Sequence, residues 1–355
     1  MKDGKTSQNS LYSSNSFFSD FSAESKYNGL VQKSPLKIAK NRLFSLMSYM
    51  DSTVPHFYLM HEVVTVWRFI QLIGATFCAS YDDFWEDKSL AKNAIGIVSI
   101  FFHLIPPKYR FDGATICEFI YSVLFIVFFI LIFASATVYK KTAKLPKAIT
   151  PIISVFLSTF MLLLHPVALN LCGEQISHIA MGHKTKFQLG VEVFAIILVI
   201  VVFLASVLFY KNIASCNFTF RPISFMTVEN RPSVFLFIIS NLITFLIALG
   251  SHLSKIPQIV LLIISALLNF SLVYSLFMPG TYIRKYHSRL IFSASIGGGV
   301  LLLVVTIFLI LNKTASQPQI FIIIAIFILF FIIGYVVLNK REMKQLVLLD
   351  SFIDN

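Results

Sequence analysis

Residues Gly113–Leu171 read GATICEFIYSVLFIVFFILIFASATVYKKTAKLPKAITPIISVFLSTFMLLLHPVALNL: two apolar runs around the basic turn Lys140–Lys147. Each run exceeds the roughly 20 residues that an α-helix needs to cross about 30 Å of hydrocarbon. Lipid offers no partner to a backbone N–H or C=O, so a run of this kind pairs them internally, as a helix. Lysines in a short turn between spans mark the cytoplasmic side. The pattern predicts an all-α, polytopic integral membrane protein, and the rest of the chain threads outward from this hairpin.

Composition agrees. Of 355 residues 57% are hydrophobic and only 13% charged, Phe occurs 37 times, and the mean hydropathy is +0.79. A soluble domain carries about 25% charged residues, so the surplus apolar surface has to face lipid. The net charge of +12 does not indicate nucleic acid as a partner. The basic residues sit in short connections between apolar runs, as orientation signals do.

Residues 1–32 are Ser-rich and polar and are expected to be a disordered cytoplasmic tail. Residues 33–58 form a juxtamembrane segment in which Pro35 can open a helix. Leu36, Leu43, Met47 and Met50 share one face there, suited to a membrane surface or a partner. A transmembrane bundle is expected over 59–338: spans at about 59–79, 113–139, 149–171, 190–210, 234–253, 257–278, 290–311 and 319–338. The run 94–105, stopped by Pro106-Pro107, reaches only roughly 18 Å at about 1.5 Å per residue. It is expected to be re-entrant or interfacial. With eight spans, 20 of the 29 Lys and Arg fall on one side, 8 on the other and Arg68 within span 1. Counting 94–105 as a ninth span would put the N-terminal tail opposite the other basic segments. Eight spans, with both termini cytoplasmic, follow. Residues 339–355 are a short helical tail in which Leu346, Leu349 and Ile353, at spacings of three and four, suit a homodimer contact.

Candidate functional residues are the polar groups inside apolar runs, because an ionisable side chain in the membrane is costly and marks a site. Arg68, Glu118, His165, Asn170 and Glu192 are grouped as an outward-facing pocket among the first four spans, fit for a cation or small ligand. The competing reading is contact with interfacial water. Ser293, Ser295, Gly297, Gly298 and Gly299 are expected to bring helices close, small residues being what close approach requires; a hinge is the alternative. Residues 172–189 read as a polar loop, and His178 and His183, five apart, share no helix face and make a poor metal pair. Cys78, Cys117 and Cys172 are read as buried apolar groups or as disulfide partners in an oxidising lumen.

Nucleotide-binding, GxSxG, HExxH and kinase patterns are missing from the sequence, so no catalytic residue, cofactor or metal is expected. The Ser-rich tail, the first span Trp67-Arg68-Phe69-Ile70-Gln71-Leu72, the short stretch ending Ile105-Pro106-Pro107 and the paired spans resemble a known layout. It is that of the N-terminal membrane region of parabasalid and ciliate receptor-type adenylyl/guanylyl cyclases and of tiny-macrocysts-type membrane proteins. The resemblance covers about residues 10–355. It implies a signalling, receptor-like or anchoring module without the cyclase part, in the lipid bilayer, with an unknown ligand. A transporter or channel using the same polar pocket is the alternative reading, and an intramembrane enzyme a third.

Overall fold

The computed structural model describes residues 35–53, 58–81, 84–85, 90–103, 110–182, 186–214, 230–276 and 285–353. These are helical apart from short turns. Helices α1 (Pro35–Thr53), α2 (Tyr58–Thr76) and α3 (Leu90–His103) precede α4 (Arg110–Thr142) and α5 (Ile149–Ala180). Then come α6 (Lys186–Asn212), α7 (Asn230–Gly250), α8 (Lys255–Leu276), α9 (Lys285–Ile310) and α10 (Gln317–Ile353). Seven of them, α4 to α10, are long and apolar enough to cross a membrane. The expected tail 1–32, the acidic Asp82, Asp83, Glu86 and Asp87, the Ile105-Pro106-Pro107 stop and Cys216 lie outside the described residues, as do the side chains of Leu346, Leu349 and Ile353.

The basic turn ends α4 as the charge pattern requires. Lys140 and Lys141 occupy its last turn, where cations meet the negative end of the helix dipole. Ala143 then takes a left-handed φ of 52°, and the amide of Ile149 closes a turn on the Pro146 carbonyl at 3.1 Å. This end of the bundle, holding Lys140–Lys147, is called the near end below, and the opposite one the far end.

Helix α2 carries Glu62 and Arg68 and is less apolar than the seven, yet it runs the length of the bundle. Its 19 residues span about 28 Å at 1.5 Å each. It packs on α9, α7 and α5. Gln71 Nε2 donates to the Leu163 carbonyl at 3.1 Å, and Ser80, just beyond the helix, donates to Glu174 Oε1 at 2.5 Å. Both partners belong to α5, so α2 and α5 run parallel, ending together at the far end. Helix α3 begins after Trp85 at that end, and α4 starts from it too. The 14 residues of α3 span only about 21 Å at 1.5 Å each.

Two apolar cores share the bundle. One gathers α1, α4, α5, α6 and the start of α7 around Phe125, Phe156, Leu162 and Phe237. Leu43, Leu46, Met47 and Met50 of α1 are buried in it, and Tyr49 lies 4.6 Å from Tyr139 between ring centroids. The apolar residues of α1 from Leu43 onward are thus covered by the chain's own bundle. The second core joins α2 to α7–α10. Its centre is α9, whose three consecutive glycines each admit a different neighbour. An added Cβ would meet Phe327 of α10 at 2.9 Å from Gly297, Thr76 of α2 at 2.9 Å from Gly298, and Phe270 of α8 at 2.9 Å from Gly299. Ser293 and Ser295 are buried on the same helix, with Ser293 against Gly334.

The segment after α2 is acidic and aromatic in sequence. In its described part, Tyr81, Phe84 and Trp85 form a plug at the far end, 0%, 0% and 1% exposed. Tyr81 Oη donates to the Ile247 carbonyl at 2.9 Å, Trp85 Nε1 to the Cys78 carbonyl at 3.2 Å, and the Ala315 amide to the Phe84 carbonyl at 2.6 Å. Three rings of about 150–250 Å² each, at about 25 cal/mol per Å², contribute on the order of 10 kcal/mol before ordering costs.

Candidate functional site

Helix α5 decides where the polar residues sit. It does not stop at residue 171 but continues to Ala180, because Glu174, Gln175 and Ser177 turn inward and are buried. His165 consequently lies near the middle of this 32-residue helix, not at its far end as expected. Two departures from regular helix flank its depth: a π turn at Phe156–Phe160 and Pro166 within the helix. A π turn carries one residue more than the α ladder and is frequent at functional sites. A proline removes a backbone donor.

The five predicted pocket residues separate into two levels. At mid-depth, His165 is fully buried in a ring of aromatics, with centroids at 4.7 Å to Phe125, 5.4 Å to Phe237, 5.6 Å to Phe203 and 5.7 Å to Tyr121. Neither ring nitrogen makes a well-formed hydrogen bond among the described residues. Arg68, 8% exposed, is within electrostatic reach of His165. It borders a small cleft with Phe69, Leu72, Leu236, Ser240 and Ile291. Burying a guanidinium at such depth costs roughly 2.5–3.5 kcal/mol on insertion scales.

Towards the far end, Glu118 of α4 is 0% exposed and Glu192 of α6 is 8% exposed. The two carboxyl groups feel one another electrostatically. Gln175 bridges α5 to α4. Oriented so that both ends of its amide are satisfied, its nitrogen donates to Glu118 Oε2 at 3.0 Å. Its oxygen then accepts from the Thr115 hydroxyl and amide, each at 3.0 Å. Cys172 is within electrostatic reach of Glu118, and Tyr121 of Cys172. Asn170, 4% exposed, sits on α5 between the levels, its Oδ1 without a hydrogen bond among the described residues.

Sequence reasoning missed Gln175, Thr115, Glu174 and Ser80. The first and third were placed in a loop, although residues 171, 174, 175 and 178 repeat at helical spacing. Glu174 and Gln175 are neighbours with different targets: Gln175 reaches the Glu118 carboxylate, while Glu174 takes the Ser80 hydroxyl of the plug segment. Cys78, Cys117 and Cys172 are free thiols. Among the described residues no group of three His, Cys, Asp or Glu could hold a metal ion. The arrangement is an acidic pair on α4 and α6, with an α5 amide bonded to the α4 member, at a different level from the caged histidine. No protein-family model, no curated protein and no solved structure matches the chain.

Proposed function

We propose that the chain is a receptor-like membrane module: a polar pocket at the far end faces outside, and its state is passed to the near end through α10. One observation carries this reading, a continuous series of contacts. Gln175 holds Glu118, the adjacent Glu174 holds Ser80, and the plug that follows Ser80 receives the Ala315 amide at the start of α10. Helix α10 then runs unbroken for 37 residues, about 55 Å at 1.5 Å each, which is longer than a bilayer core. At the near end Glu342 clamps it to α9, accepting from Arg289 Nη2 at 2.7 Å and Nε at 2.8 Å.

The near end as the cytoplasmic one is part of the same proposal. Lys140, Lys141, Lys144 and Lys147 are exposed there, and Lys211, Lys340, Arg341 and Lys344 belong to helix segments at that end. The resemblance to the membrane regions of protist cyclases and tiny-macrocysts-type proteins fits an output that leaves along α10.

The test needs no known ligand. Spin labels at Lys140→Cys and Lys344→Cys, in a background without the native thiols, report the near-end distance in nanodiscs. Glu118→Gln removes the pocket's charge and is expected to shift that distance; adding Ser80→Ala is expected to abolish the shift. Unchanged distances in Glu118→Gln would refute the coupling. A second reading, transport, is favoured by the π turn and Pro166 in α5, since interrupted helices are what carriers use at their sites. Flux of sodium or protons into proteoliposomes that Glu118→Gln abolishes would establish it.

A further inference from the structure

We propose that the outward face of α10 is a docking site for acidic phospholipids, whose headgroups meet Lys340 and Lys344 while their acyl chains lie along Leu329, Ile333 and Val336. Helix α10 is the least buried of the seven long apolar helices, and its two sides differ sharply. Towards the bundle it presents the buried Ile323, Phe327 and Leu338, and Gly334, which lies against Ser293 of α9. On the opposite side Leu329, Ile333 and Val336 are exposed, an apolar stripe that continues into the exposed Lys340 and Lys344. At about 100° per residue these five share one side of the helix. Residues 320–338 are long enough to fill the hydrocarbon. Lys340 and Lys344 follow Leu338 by about 3 Å and about 9 Å along the axis, which is headgroup depth. The site requires only that α10 crosses the bilayer, and it stands apart from the receptor reading and from which end is cytoplasmic.

Charge decides which occupant the face takes. Glu342 is the one acid between residues 317 and 349, and it is turned away from the two lysines. It faces α9, where Arg289 donates to its Oε2 from Nη2 at 2.7 Å and from Nε at 2.8 Å. Its charge is thereby matched within the bundle. Lys340 and Lys344 stand one turn apart on the other side, and like charges at that spacing repel. A phosphate between them relieves the repulsion, lysine being a point-charge binder of phosphate. A second copy of the chain, packed on this face in the same orientation, would bring its own pair of lysines to the same level, which disfavours it as the occupant. A free anion gains nothing from the apolar stripe. A phospholipid with a negative headgroup meets both parts at once.

The experiment places a bromine-quenched fluorophore at Ile333→Cys of the full chain, in a background without the native thiols. Nanodiscs of fixed bromolipid content carry either brominated phosphatidylserine or brominated phosphatidylcholine. Each lysine is expected to enrich the acidic lipid about fivefold beside it, so the phosphatidylserine quenches at a several-fold lower mole fraction. Lys340→Gln combined with Lys344→Gln is expected to remove that preference, and added salt to weaken it. A label at Leu267→Cys, on the exposed side of α8, is the reference and is expected to show no such preference. Equal quenching by the two bromolipids at Ile333→Cys overturns the proposal. So does a preference that survives loss of both lysines, or one that is as strong at Leu267→Cys. A label at Ile333→Cys that neither bromolipid reaches shows that protein, such as a second copy, covers the face, and overturns it as well. The comparison with both lysines in place decides even if the doubly substituted chain fails to fold.

Discussion

Replacing Gly173 by alanine gives the sharpest test of how α5 meets α7. A Cβ at residue 173 would lie 2.7 Å from the Phe245 carbonyl oxygen, 2.8 Å from the Leu249 nitrogen and 2.9 Å from the Ala248 Cβ. Two of these atoms are backbone, so no rotamer change can make room. Reaching an ordinary contact of 3.4 Å needs the helices to part by roughly 0.7 Å, the difference between those two distances. Overpacking of this kind typically costs about 1–3 kcal/mol, and here the rigid neighbours put it at the upper end. Alanine recovers up to about 1 kcal/mol of helix propensity. The net expectation is a loss of about 2 kcal/mol. Gly190, exposed on α6 with nothing within 4 Å of a built Cβ, is the control, and Gly190→Ala is expected to be neutral or stabilising by up to about 1 kcal/mol. Denaturant titration in mixed micelles, followed by circular dichroism, measures both. A Gly173→Ala protein as stable as Gly190→Ala would show that α5 and α7 do not cross at Gly173.

Further outcomes follow from other contacts. Tyr81→Phe removes the hydroxyl bonded to the Ile247 carbonyl and is expected to cost about 1–2 kcal/mol. Gly250→Ala drives a Cβ into that hydroxyl oxygen, so the double variant should be more stable than the sum of the singles predicts, which a thermodynamic cycle reads directly. Glu342→Arg should loosen α10 from α9 at the near end and raise proteolysis there, while adding Arg289→Glu restores protection; unaltered cleavage in the single variant would exclude the clamp. Cys78 and Cys172, both buried, should resist maleimide in the folded protein and react on unfolding. Rapid labelling of either would contradict its burial.

Seven of the spans were legible because hydropathy alone sets the requirement for crossing lipid. What hydropathy could not show was direction of burial. The stretch Leu171–Ala180 loses apolar character because Glu174, Gln175 and Ser177 face partners inside the bundle, so it read as loop while folding as helix. The same limit hid the plug: Tyr81, Phe84 and Trp85 alternate with acids and resemble an exposed turn, but their rings and hydrogen bonds point inward. Grouping Arg68 with Glu118 followed from placing both in apolar runs. The length of α5 separates them into levels. The π turn at Phe156–Phe160 has no composition signal at all, since it depends on how neighbouring helices constrain the backbone.

Each residue of an α-helix turns the next by about 100°, and Gly297, Gly298 and Gly299 each give way to a different neighbour. Inserting a single amino acid at the beginning of α9 would swing all three recesses past the rings and methyl they accommodate, driving larger side chains against Phe327, Thr76 and Phe270. The three recesses therefore fix the rotational setting of α9 among its neighbours.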